Sequence, residues 1–502
     1  MLTMLRPRTF WVLNTVITAI ACGLITQFAL AQKAAVPTTH ILLDLVTLTN
    51  GSKLEGLVLD DSPVGVRFMS IRRVPGRPTI TLTSFFHANE VANIKKLSEV
   101  DRAALKKWLA DFDENGSGER RRMDAVQLTA VEWLGKANGA KRYEADHFEL
   151  VSSAPQEVTR RAAVRLEQIY VAFMRFLPPR YEMNEKDRID KDEKLRRTTV
   201  LLAGDLDQYR ELLNPSGGQV LNPAVFDPTS NRIICGTDLR RLGDELLRTR
   251  IHHLQQLAAA DKTEKDLREM YKSSKPDLDR FLGAVNKERA KVATAEREND
   301  RTFDETTRRV FAMLYHEAFH SYVMNYVFPA RTQVDVKAGK GTGELPRWLN
   351  EGMAQLFEHP IIEAGELRVE TPDPDRLKRV HEWHAAKGRG KAAEHGLIPL
   401  RDLLRSGKPE FLAAHTTQQE ASDRTYLTAW ALAYYLTFER RVFGTKSLDR
   451  YLIVVNSGGD SLAAFKELVG QELPAFEADW HSYLSRLHAD GTVAAKRTIE
   501  KK

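Results

Sequence analysis

His316-Glu317-Ala318-Phe319-His320 sets two imidazoles and a carboxylate in the order His-Glu-x-x-His. Residues 305–327 around it contain neither Pro nor Gly. Apolar side chains recur there at Val310, Met313, Leu314, Ala318, Val323 and Val327, so the stretch reads as a helix. On that helix His316 and His320 fall one turn apart on one face, a spacing at which both rings can hold one zinc ion. Glu317 is rotated off that face and can act as general base on a water at the ion. Two ordinary histidines on a helix would give the same pattern, so the assignment turns on a third ligand.

Residues 346–358, Pro-Arg-Trp-Leu-Asn-Glu-Gly-Met-Ala-Gln-Leu-Phe-Glu, offer one. Pro346 suits a first helical turn. Leu349, Met353, Leu356 and Phe357 form an apolar stripe, and Glu351 lies on a different face with Ala354 and Gln355. A carboxylate there completes a His-His-Glu set and leaves a fourth position open. Small Gly352 and Ala354 are expected to let this helix approach the zinc helix closely.

The His-Glu-x-x-His helix followed by Trp348-Leu349-Asn350-Glu351-Gly352-x-Ala354 resembles the gluzincin zinc peptidases, and the second block is very similar to the third-ligand helix of their aminopeptidase branch. The resemblance implies a Zn²⁺ cofactor, His316, His320 and Glu351 as its ligands, and Glu317 as the base. The thirty residues between His320 and Glu351 are a longer spacer than that branch has, and residues 328–345 are expected to absorb the excess as a loop. Residues 426–436 look like the aminopeptidase helix that opens with a catalytic Tyr, which implies Tyr426 as hydrogen-bond donor to the oxyanion of the tetrahedral intermediate. A Gly-Ala-Met-Glu-Asn-like stretch, which holds the free amine in aminopeptidases, is absent from the sequence, so exo- and endo-cleavage both stay open. The chain also resembles a bacterial family of secreted gluzincin-like proteins, and the likeness covers residues 146–487.

These parts need a scaffold. The expected fold class is α+β: a gluzincin-type metallopeptidase domain at 146–487, with a mixed sheet beside the zinc helices. Residues 40–97 are expected to form a small antiparallel β-domain before it, whose Asn50-Gly51-Ser52-Lys53-Leu54-Glu55-Gly56 segment is similar to small SH3-like or Sm-like barrels. Residues 98–145 read as a helix capped by Ser98 and then a polar linker, Asp113–Met123, whose Arg120-Arg121-Arg122 run is solvated. Within the larger domain the order reads strand 148–152, helix 155–176, a Pro178-Pro179 break, strand 198–203, helix 206–213 and a hairpin-like pair around 224–238. Asn231–Gly236 is the expected edge strand for an extended peptide. Residues 239–302 read as a helical hairpin inserted before the zinc helix and broken at Ser273-Ser274-Lys275-Pro276. Residues 488–502 form a charged tail. Two further histidine groups are weaker candidates: His381 and His384 are three apart with no Glu-Gly-x-Ala block after them, and His252 and His253 point to different helix faces.

The chain has 502 residues, 42% hydrophobic and 28% charged, with a formal charge of +6. That small excess gives no case for nucleic acid. Arg6 and Arg8, the largely apolar Phe10–Phe28 and Ala29-Leu30-Ala31 before Gln32 read as a signal peptide over 1–31. Ala19-Ile20-Ala21-Cys22 offers an alternative lipoprotein site. No other run suits a transmembrane helix, so the mature chain is expected to be exported, periplasmic or extracellular. Cys235, the second of two cysteines, sits in an apolar strand and reads as a small buried hydrophobe. The expected function is a secreted zinc-dependent peptidase acting on peptide or protein substrates. The alternative is a non-catalytic peptidase-like scaffold that binds an envelope protein or polymer, and a smaller third option is zinc hydrolysis of a non-peptide amide.

Overall fold

A computed structural model describes residues 42–73, 79–111, 117–179, 197–213, 222–327, 344–363, 366–369, 371–386, 396–411 and 417–495. The expected signal segment with Cys22, most of the 328–345 loop and the end of the charged tail lie outside these residues. The fold is mixed α+β. Among the described residues no helix is long and apolar enough to cross a membrane.

Alternating apolar residues build the first sheet from β1 (Asp44–Leu48), β2 (Lys53–Ser62), β3 (Gly65–Arg72), β4 (Ile80–His87) and β5 (Val91–Lys95), in the order β4-β3-β2-β1-β5. Every pairing is antiparallel. Val46, Val58, Val66 and Phe68 form its core. Among the described residues β4 and β5 do not pair, so the sheet is open and the barrel expected from the sequence is not closed. Asp44, fully buried, fastens this sheet to helix α1 (Glu99–Asp111): it accepts from the Val58 and Leu97 amides, 2.8 Å each, and pairs with Arg102. Ser98 caps α1 as expected, its hydroxyl accepting from the Asp101 amide at 3.2 Å.

The expected polar linker is a helix over much of its length, α2 (Ser117–Ala125). The physical reason is a buried ion cluster. Glu119, 6% exposed, accepts from Arg165 at 2.6 Å and lies 3.8 Å from Arg161. Both arginines rise from α3 (Gln156–Phe176) and reach on to Asp300 and Asp304, 2.8 and 2.6 Å away. Arg120 joins from the arginine run, 2.6 Å from Asp300, so that residue is a tether and not a solvated charge.

The second sheet has six strands: β6 (Thr129–Trp133), β7 (Lys136–Glu144), β8 (Phe148–Ser152), β9 (Thr198–Ala203), β10 (Ala224–Asp227) and β11 (Arg232–Gly236), ordered β10-β11-β9-β8-β7-β6. Two of them, β6 and β7, come before residue 146. Pairs β8–β9 and β9–β11 are parallel and the others antiparallel. The strand expected at the edge, β11, is interior, covered by β10. The hairpin expected around 224–238 is present, and it is its first strand, β10, that stands at the edge, with β6 at the opposite edge of the sheet. Helix α4 (Leu206–Leu213) packs Tyr209 against Trp133, Ala140 and Ala203. Cys235 is buried, and burial pushes its thiol pKa up.

The helical hairpin is present, but it is not a separate insertion. Its first arm is α5 (Arg240–Met270), and its second arm runs without a break into the histidine helix as the 48-residue α6 (Lys275–Tyr322), with Pro276 in the first turn. Arg289 joins the arms through Asp261 and Glu264, 2.6 Å each. From Phe303 onward α6 is buried against α3, where Tyr170 bonds Ser321 at 3.0 Å and the Phe173 and Phe319 rings meet edge-on. A π-helical turn, Val323–Val327, ends it.

Burial alone would raise the pKa of Glu119, but Arg165 and Arg161 outweigh burial and lower it. A carboxylate lowered on folding stabilises the fold above its unfolded value of about 4.5, and that stabilisation is lost as pH falls through the folded value. Glu119→Gln is therefore expected to cost about 3 kcal/mol at pH 7, because it strands buried guanidinium charge. The gap to the parent should shrink below about pH 4, as read by urea denaturation at a series of pH values.

Candidate metal centre

Three helices meet at the His-Glu-x-x-His segment. The last turns of α6 carry His316, Glu317 and His320. Helix α7 (Arg347–Leu356) carries Glu351, with Pro346 at its N-cap position. Two short strands, β12 (Ile361–Glu363) and β13 (Glu366–Arg368), lead to α8 (Pro374–Ala385), capped by the Asp373 carboxylate. Helices α9 (Leu400–Arg405), α10 (Lys408–Phe411) and α11 (Thr417–Tyr434) follow, and α11 carries Tyr426. The C-terminal helices α12 (Lys446–Asn456), α13 (Ser461–Val469) and α14 (Leu473–Leu484) buttress this group: Trp348 donates to Tyr451 and Trp480 to the Ala431 carbonyl. Gly458, Gly459 and Gly470 fall between these three helices, with Gly458 and Gly470 at positive φ.

His316, His320 and Glu351 each present a ligand atom, and the three atoms lie within 4.8 Å of one another. The two Nε2 atoms are 3.0 Å apart, and Glu351 lies 3.4 Å from His316 and 3.6 Å from His320. Two imidazole nitrogens and a carboxylate oxygen are the donor set zinc favours, so the residues present fit such an ion. Glu351 is 1% exposed. Burial would raise its pKa, but His320, His316 and Arg347, the last at 2.7 Å, hold it down at about 2.

The His316 ring is oriented from behind. His316 Nδ1 meets Glu358 at 2.7 Å, and the other Glu358 oxygen accepts from Arg376 at 2.7 Å. Arg376 is held in turn by Asp373, which also bonds His359 at 2.7 Å. A carboxylate behind a ligating histidine fixes its tautomer and raises its basicity. Burial lowers the His316 pKa, but Glu351 and Glu358 together lift it to about 10. Among the described residues no carboxylate stands behind His320 in this way: burial first, then His316 and Arg347, bring it to about 4.

Glu317 lies beside the cluster. Its Oε2 accepts the Phe226 amide of the edge strand β10 at 3.2 Å. Burial raises its pKa, and His316 offsets only part of that. Tyr426 opens onto the same cavity, of about 350 Å³, with His316, Glu317, Gln355, Glu358 and Arg376. Its hydroxyl donates to the Phe411 carbonyl at 3.1 Å, and burial raises its pKa, so the phenol keeps its proton at neutral pH. The five expected residues thus come together in one place.

Two expectations change. Gly352 does not face the His-Glu-x-x-His helix. A Cβ there would stand 2.5 Å from the Ala429 carbonyl and 2.9 Å from Ala433 Cβ, so its role is the contact of α7 with α11. The sequence reading also gave no role to Glu358, Arg376, Arg347 or the Phe226 amide. Glu358, two turns beyond Glu351, and Arg347, one turn before it, carried a periodic signal. Arg376 and Phe226 carried none, because they arrive from other elements. The weaker histidines stay apart from the site: His381 bonds the Leu484 carbonyl at 3.1 Å, and His384 packs on Trp383 and His481.

Residues 310–450 match the sequence model of a family described as a protein of unknown function (DUF1570), a span that takes in all five site residues. No curated protein and no solved structure matches the chain.

Gly352→Ala should force α7 and α11 apart and cost about 1–3 kcal/mol by overpacking. Gly283→Ala, in an exposed part of α6 where a Cβ meets nothing within 4 Å, should instead stabilise by up to about 1 kcal/mol. Urea unfolding of the two variants checks the contrast.

Proposed function

We propose that this chain is an exported zinc-dependent peptidase. The observation that carries the reading is the convergence of His316, His320 and Glu351, with Glu317 and Tyr426 bordering the same cavity. Zinc at these ligands supplies Lewis-acid polarisation of an amide carbonyl and acidifies water at neutral pH.

The remaining work falls to the chain's own groups. Glu317, tethered by the Phe226 amide and raised in pKa by burial, takes a proton from the attacking water and passes it to the leaving amine. Tyr426 turns its phenol from the Phe411 carbonyl to the oxyanion. An extended substrate pairs with the free edge of β10, whose Phe226 amide points away from β11 and toward the site. Glu358 and Arg376 keep the His316 ring in place through this sequence of proton transfers. The charged n-region, apolar stretch and small-residue site before Gln32 support export, and a single buried cysteine in the rest of the chain is consistent with a mature form that needs no disulfide.

Purified mature protein is expected to bind one zinc ion per chain, and His320→Ala should abolish that binding. Glu358→Gln should weaken zinc affinity by about 10–100-fold, because it removes the support behind His316 while leaving all three ligands. Metal analysis and competition with a chelating dye read both effects. Unchanged zinc occupancy in His320→Ala would remove the ligand assignment.

Glu317→Gln should retain zinc and thermal stability yet lose turnover of an unfolded protein substrate by more than about a hundredfold, because an amide cannot take up the water proton. Tyr426→Phe should slow the same reaction by about 2–4 kcal/mol in barrier, with the fold intact. Full activity in Tyr426→Phe would move the oxyanion role to another residue.

A further inference from the structure

The cavity beside the metal cluster has a second charged wall, built by α8. Arg376 and Arg379 stand one turn apart on that helix, and both line the cavity with Glu317 and Tyr426. Their situations differ. Arg376 is already neutralised, 2.7 Å from Glu358 and 3.4 Å from Asp373. Arg379 is half-buried and, among the described residues, has no carboxylate within salt-bridge distance. The other acids around the cavity do not meet that charge. Glu358 is taken up between His316 and Arg376, and Glu317 is held by the Phe226 amide. Asp423 is exposed and makes no ion pair with Arg379.

A guanidinium held in a cleft without a partner is a ready site for a planar oxyanion, because its fork donates two parallel hydrogen bonds to a carboxylate. Partial burial strengthens that contact relative to water. Resting on the peptidase reading above, we infer that Arg379 is a specificity-determining residue that binds a carboxylate of the substrate. The favoured substrates are then peptides that carry an acidic side chain or a free C-terminal carboxylate within reach of the cleft.

The test uses the full-length mature chain loaded with zinc and carrying Glu317→Gln to stop turnover. Fluorescence anisotropy measures its binding to labelled alanine-based heptapeptides. One Glu is placed at each position in turn, each peptide is matched to its Gln counterpart, and each is made with a free or an amidated C-terminus. At least one carboxylate-bearing peptide should bind about tenfold more tightly than its neutral match. The Glu/Gln pairs and the acid/amide pairs identify which source of carboxylate is read. Arg379→Gln should erase the difference, and Arg379→Lys should keep part of it. Equal binding of all matched pairs by the Glu317→Gln chain overturns the proposal, as does a preference that persists in Arg379→Gln. The first of these readings needs no change at Arg379, so a poorly folded variant does not shelter the idea.

Turnover by the chain with Glu317 intact separates this proposal from the peptidase reading. Arg379-dependent binding without cleavage of any peptide keeps the subsite and removes the peptidase. Cleavage of matched peptides at equal rates, without Arg379-dependent binding, keeps the peptidase and removes the subsite.

Discussion

A carboxylate buried where three helices meet sets the terms for the rest of this structure. Glu351 is almost without solvent contact, and an unpaired charge in such a place costs several kcal/mol. His316, His320 and Arg347 meet that cost together. Each partner then needs its own support. His316 draws in Glu358, Glu358 draws in Arg376, and Arg376 draws in Asp373. The polar chain runs from α6 through the end of α7 to the start of α8. The elements around the site are therefore held by one connected set of charges.

The distances in that chain depend on how closely the helices approach. Gly352 allows α7 to lie directly against the backbone of α11 at Ala429. Gln355, one turn on, donates to the Tyr426 carbonyl at 3.1 Å. This contact carries Tyr426 to the rim of the cavity that Glu317 also lines. On the opposite side, β10 brings a backbone amide to Glu317. The catalytic candidates thus depend on one small residue and one short strand as much as on their own side chains.

Helix α6 links this centre to the remainder of the molecule. Its C-terminal half is core and its N-terminal half is one arm of a hairpin. The arginines of α3, with Glu119 behind them, grip it near Asp300 and Asp304. That brace fixes α6 against α3 about three to four turns before the histidines. A hairpin continuous with the histidine helix shares its orientation, since α6 runs unbroken from Lys275 to Tyr322 without the interior Pro or bulge at which sharp kinks form.

Much of this was legible in the residues alone. The two histidines, Glu317 and Glu351 could be picked out because helical periodicity and spacing are local properties, set by about four residues of chain at a time, whereas Tyr426 was picked out only by the resemblance of its helix to a peptidase helix. Local pattern likewise marked the Ser98 cap and the break at Pro276. The sequence also pointed to a small β-domain, but whether its sheet closes depends on pairing between β4 and β5, which no local pattern encodes. It misplaced the edge strand, because a strand's neighbours are chosen by the whole sheet and not by its own alternation. It read α2 as a solvated linker, since the partners that neutralise Glu119 and Arg120 lie far along the chain. Arg376, Arg379 and the Phe226 amide reach the site only through the packing of α8 and β10. Chemistry carried by one helix was therefore visible in sequence, while chemistry assembled from several elements was decided by tertiary structure, because burial and long-range charge pairing exist only once the chain has folded.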